Sequence, residues 1–164
     1  MTPIKILICL LFVSIPFTAQ ELEIPNDLSL VTADDYKKTE SLVLKATEWL
    51  AQTPVGEHPN TRIAVNGFLM KWMSGSPTVT IALVEGIVPL DCADCLMVFM
   101  SGWTKYSLEH NYSKDNTACA VAGAEQAIRF YEKNKAALGK NADMEKLIKL
   151  QKKGKLESYI ASKF

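Results

Sequence analysis

Leu42, Ala46, Trp49 and Leu50 fall at steps of three and four, which marks one apolar helix face. Ahead of it, Thr32-Ala-Asp-Asp35 reads as a cap opening a short helical turn around Tyr36, with Thr39 or Ser41 capping the helix that follows. Pro54 places the stop near Thr53, because the residue before a proline is pushed out of the helical region. Asn60 then caps a second helix, with Ile63, Phe68, Leu69 and Trp72 inward and an end before Pro77. Thr78 to Leu83 alternates like a strand, and Gly86-Ile-Val88 is its only local partner. Residues 78–89 are therefore expected either to form a small β-hairpin or to lie extended over the helices.

A third helix runs from about Asp91 to His110, with Leu96, Phe99, Trp103 and Tyr106 as its main stripe. Met97, Val98 and Met100 widen that stripe nearly all the way round, which predicts the most buried helix. A fourth helix follows the polar turn 111–116 and runs from Thr117 to about Asn134. Its Ala120, Gly123, Ala124 and Ala127 make a narrow face that lets the preceding helix approach closely. Asn141 caps a fifth through Met144, Leu147 and Ile148, Gly154 breaks it, and Leu156, Tyr159 and Ile160 form a last apolar turn. The pattern predicts an all-α protein, a compact bundle of about five helices forming one domain over residues 33–164.

The segment before this domain changes the picture. Lys5 gives a positive start, Ile6 to Ile15 an apolar stretch, and Thr18-Ala19-Gln20 a small-residue processing site. That is the pattern of a secretory signal peptide, residues 1–19, too short to span a bilayer of ~30 Å as a helix. Cys9 follows the large Ile8, which argues against lipid anchoring at that cysteine. No later apolar run reaches ~18 residues, so no transmembrane segment is expected after cleavage. Residues 20–32 read as a loose leader. The expected location is the periplasm or the extracellular space.

Charge adds an asymmetry. Residues 20–60 hold eight acids against three lysines, and residues 133–164 nine lysines against three acids, although the whole chain is formally neutral. Two solvated faces account for this, or else the ends steer oppositely charged partners. The lysines are not interleaved with arginines or stacking aromatics, which argues against nucleic acid.

The chemistry-bearing stretch is "PLDCADCLMVFMSGW", residues 89–103, where Cys92 and Cys95 sit at a helix start. Zinc needs four ligands. His110, a remaining candidate, lies fifteen residues beyond Cys95, or about 22 Å along one helix. Leu96 stands where attached haem needs histidine. No metal and no cofactor is expected. A strand, a turn, CxxC and a helix is the thioredoxin-like order, but the sheet that should follow is missing. A helix N-terminus favours a thiolate by about 0.3–1 kcal/mol. Each of Asp91 and Asp94, about 6 Å away, opposes it by roughly 0.7 kcal/mol. In an antiparallel hairpin of the third and fourth helices, Cys119 would sit about 15 Å along the axis from Cys95, beyond the ~7 Å that a bridge allows. Cys92 and Cys95 are therefore expected to form a local disulfide in an oxidising compartment, with Cys119 buried as a small hydrophobe.

No catalytic residue stands out: there is no HExxH, nucleophile elbow or phosphate loop, and Glu109-His110 reads as a helix end. The tryptophans are the candidates for ligand contact. "EWLAQTP" (48–54) and "KWMSGSP" (71–77) place Trp49 and Trp72 alike on a last turn before a proline stop, 23 residues apart. Trp103 lacks the proline. Core packing is the expected role of all three, and an aromatic ligand cage of Trp49, Trp72 and Trp103 is the alternative.

"LMKWMSGSPTVT" and "FMSGWTKY", with Trp72, Pro77, Gly102 and Trp103, resemble a group of small exported bacterial helical proteins without assigned activity. The resemblance implies an exported protein and no chemistry. The functional expectation is an exported non-catalytic helical protein that binds a protein or small ligand in the cell envelope. The alternative is a thiol–disulfide redox protein using Cys92 and Cys95.

Overall fold

Thr32 opens α1 (Ala33–Gln52) with a reciprocal cap: its side chain accepts from the Asp35 N–H, while the Asp35 carboxylate accepts from the Thr32 N–H at 2.9 Å. With those donors satisfied, the helix runs through Tyr36, Thr39 and Ser41 without a break. The separate turn expected around Tyr36 is thus the first turn of α1. The Thr39 hydroxyl, expected as a cap, instead bonds back to the carbonyls of Asp35 and Tyr36. Thr53 ends α1 in extended geometry, as Pro54 requires.

The computed structural model describes residues 22–164, and the expected signal peptide, residues 1–19, lies outside them. The five further helices among the described residues are α2 (Pro59–Gly75), α3 (Ala93–Glu109), α4 (Asn116–Leu138), α5 (Ala142–Lys152) and α6 (Leu156–Ala161). The expected last apolar turn is α6, a helix of its own that buries Leu156 and Ile160. The all-α expectation holds. The described part of the leader, 22–32, stays irregular yet is not free, since Leu30 is buried and Leu22, Ile24 and Leu28 pack against the core.

The small hairpin expected at 78–89 does not form. Among the described residues only an isolated bridge, Glu85 with Val88, closes around Gly86 at φ 82°. Ile87 and Val88 both donate their N–H to the Val84 carbonyl at 3.2 Å, so the segment folds on itself instead of pairing with residues 78–83. Val79, Ile87 and Val88 are buried, and the Tyr159 hydroxyl of α6 donates to the Gly86 carbonyl at 3.0 Å. Burial against helices, not a ladder, holds this extended segment.

The α3–α4 hairpin is the centre of the molecule, with the most extensive helix–helix contact. Small residues make it possible. A Cβ on Gly102 would lie 3.0 Å from the Gly123 Cα, and one on Gly123 would lie 2.6 Å from the Phe99 carbonyl oxygen. The turn between these helices is tied by paired bonds: Ser113 N–H to the Ser107 carbonyl, and the Ser107 hydroxyl to the Ser113 carbonyl at 2.9 Å. Around the hairpin, Leu50, Leu69, Trp72 and Leu147 complete one continuous core.

In α2 the buried stripe is Arg62, Val65, Phe68, Leu69 and Trp72, and Ile63 is 71% exposed. The expected inward Ile63 is therefore wrong. Stepping back from Trp72 and Leu69 by three and four reaches Val65 and Arg62, and Ile63 lies off that face. Asn60, expected as the cap, lies inside the first turn. His58 is the capping position, in left-handed geometry at φ 48°, and Pro59 supplies the first helical residue.

Candidate functional site

Cys92 and Cys95 are joined as a disulfide, with their Cα atoms 5.2 Å apart. Cys92 is the N-cap of α3, and its Sγ accepts from the Cys95 N–H at 3.3 Å. Both residues are buried. Asp94, within the ring, turns outward and meets Arg62 of α2, whose guanidinium nitrogen stands 3.6 Å from the carboxylate.

Arg62 is the residue that sequence reasoning missed. It is only 8% exposed. Its guanidinium donates to the Thr53 carbonyl at 2.6 Å and the Pro54 carbonyl at 3.1 Å, and lies 5.8 Å from the ring centroids of both Trp49 and Phe130. Burial lowers its pKa, and the Asp94 charge opposes that shift. The guanidinium thereby ties the α1–α2 turn, α4 and the cysteine ring together. Asn134 of α4 secures the same turn through its side-chain oxygen, which accepts from the Val55 N–H at 2.8 Å. One signal was available: Arg62 and Arg129 are the only arginines beside sixteen lysines, and a planar fork suits buried carbonyls and aromatic faces.

The three tryptophans do not come together. Trp72 is buried with its indole N–H shared between the Thr39 hydroxyl at 3.0 Å and the Tyr36 carbonyl at 3.2 Å. Trp49 meets His58 and Arg62, while Trp103 packs with Phe99 and Phe164. Each is a buried anchor at a different contact, so these rings line no common cage. His58 is exposed at the α1–α2 turn, and His110 stacks on Tyr106 as the end of α3. Cys119 is buried, and desolvation raises its thiol pKa. Among the described residues, no three His, Cys, Asp or Glu side chains gather as a metal site, and no helix is long and apolar enough to cross a membrane.

The surface feature best shaped for binding is a groove between α2, the extended segment and α3. Its volume is about 460 Å³. Met73, Val79 and Met100 are its buried floor, while Met70 and Leu83 stand at the rim, 45% and 54% exposed. Leu96 and Ile81 fill the walls. Two other grooves, of about 470 and 280 Å³, lie where the leader crosses α2 and share Ile24 and Ala64. One wall of each is irregular leader, and the larger is lined by Glu23, Asn60 and Thr61. The methionine groove has two helices among its walls and a mostly apolar lining, interrupted by Ser74, Ser76 and Thr80, which suits an apolar ligand. Unbranched methionines re-pack around different side chains, which suits peptide binding.

Compared with known protein families, with characterised proteins and with solved structures, the chain finds no match. The likeness to small exported bacterial proteins rests on the two quoted stretches alone.

Proposed function

We propose that the protein is an exported, non-catalytic helical binding protein of the cell envelope, and that its methionine groove takes apolar side chains from a protein partner. The observation that carries this reading is the groove itself: methionine and leucine rims exposed over a buried apolar floor. Exposed apolar surface in a defined concavity is the usual mark of a contact site. Export is supported by the residue pattern 1–19 and by a disulfide, a bond that persists in oxidising compartments.

The alternative, a thiol–disulfide redox protein, draws on one observation, a CxxC disulfide at a helix N-terminus. Its sulfurs are buried, and the nearby cation, Arg62, is already engaged by Asp94 and two carbonyls. Exchange requires access for an attacking thiolate.

One experiment separates the two. Binding of an amphipathic peptide with leucine and phenylalanine on one face is measured for wild type, for Met70→Lys/Leu83→Lys and for Cys92→Ser/Cys95→Ser. Insulin reduction is assayed in parallel. Loss of binding in the groove variant, retention in the serine variant and no turnover support the binding reading. Turnover that needs both cysteines supports the redox reading instead.

A further inference from the structure

The lysine-rich C-terminal region is not neutralised by the acidic N-terminal region, because none of the ion pairs among the described residues joins 22–60 to 133–164. Lys146 and Lys149 of α5 and its C-cap Lys153 recur at steps of three and four, away from the buried Met144, Leu147 and Ile148. Lys155 opens α6. Tyr159 draws the elements together. Lys146 donates to its hydroxyl at 2.6 Å and lies 4.6 Å from the ring centroid, and Lys163 lies 5.5 Å from the same centroid. Of the local acids Asp143, Glu145 and Glu157, Glu145 is already engaged by Lys135 and Tyr131, and Lys152 is engaged by Glu132. Lys149, Lys153, Lys155 and Lys163 form no ion pair among the described residues and are exposed. Phe164, next to Lys163 in the chain and edge-on to Trp103, is 47% exposed.

We propose that this α5–α6 lysine face docks the protein on the phosphate-rich headgroup layer of an anionic phospholipid membrane. Clustered ammonium groups that outnumber the two remaining acids nearby, Asp143 and Glu157, create a positive field that anions relieve. The face is lysine alone, point charges on flexible stems that match a fluid headgroup layer, whereas an acidic peptide or nucleic acid favours arginine forks and stacking rings. None of the three grooves described above is lined by α5 or α6. Phe164 adds an aromatic contact at headgroup level, as in interfacial anchors.

The test is co-sedimentation of the processed chain, residues 20–164, with phosphatidylcholine vesicles, with and without about one third phosphatidylglycerol. Salt is set at about 0.1 M and about 1 M, where the screening length falls from ~10 Å to ~3 Å. The expected result is binding to anionic vesicles only, abolished at high salt. Lys149→Glu/Lys153→Glu/Lys155→Glu should weaken it by at least ~100-fold, since each lysine near such a surface strengthens partition about fivefold. Lys37→Glu/Lys45→Glu/Lys114→Glu, with the same net charge, should bind within about threefold of wild type, since its changes lie outside this face. Equal loss in both variants, equal binding to neutral vesicles, or binding to polyglutamate but not to vesicles would overturn the proposal. The groove variant should bind vesicles normally, so failure of the groove reading remains distinguishable.

Discussion

Arg62 shows how one residue sets local energetics. Its guanidinium is buried with two carbonyls, two aromatic faces and one carboxylate as partners. Removing one partner of such an arrangement costs more than the arrangement contributes, because the rest stay desolvated. Arg62→Ala should therefore lower unfolding free energy by about 3–5 kcal/mol in urea titration, and a loss under about 1 kcal/mol would show that water already serves those carbonyls. Cys119 gives a second residue-level expectation. Burial raises its pKa in the folded protein, so the unfolded thiol ionises first as pH climbs. Its contribution is fully present below the ordinary thiol range and is lost as pH rises through the folded value. Cys119→Ala should flatten the alkaline limb of stability against pH, and native Cys119 should resist alkylation near neutral pH. An unchanged limb with rapid alkylation would contradict the burial account.

At the scale of elements, the α3–α4 hairpin depends on absent side chains. Gly→Ala inside a helix ordinarily gains about 1 kcal/mol through propensity. At Gly123 the added Cβ meets a backbone oxygen at 2.6 Å, which cannot turn aside as a side chain can. The clash should win: Gly123→Ala should destabilise by about 1–3 kcal/mol, read as a lowered Tm, and a raised Tm would mean that α3 and α4 separate freely. This contact was legible in advance, because Ala120, Gly123, Ala124 and Ala127 recur on one face. So were the ends of α1 and α2, written in prolines. The hairpin at 78–89 was ambiguous, because Val79, Ile87 and Val88 suit a strand and also suit burial under helices. The phase of α2 was misread because Ile63 outweighed Arg62 on hydrophobicity, although spacing favoured Arg62. The methionine groove was hidden altogether. Met70, Met73 and Met100 look like core residues along the chain, and only the packing of α2 against α3 leaves the first of them at a rim.

Across the whole molecule, the buried tryptophans and the disulfide serve the frame, and the open chemistry lies on two surfaces. One is the apolar groove of α2 and α3; the other is the lysine face of α5 and α6. The central claim is that the groove binds apolar side chains, and its methionines report directly. Protein carrying ¹³C-methyl methionine is titrated with the amphipathic leucine–phenylalanine peptide and followed by NMR. Met144, fully buried within the α5 packing and remote in sequence from the groove walls, serves as an internal reference. The account predicts saturable shifts of the Met70, Met73 and Met100 methyls with Met144 unmoved, and loss of those shifts in Met70→Lys/Leu83→Lys. Silent groove methyls at saturating peptide, or a Met144 shift as large as theirs, would contradict it.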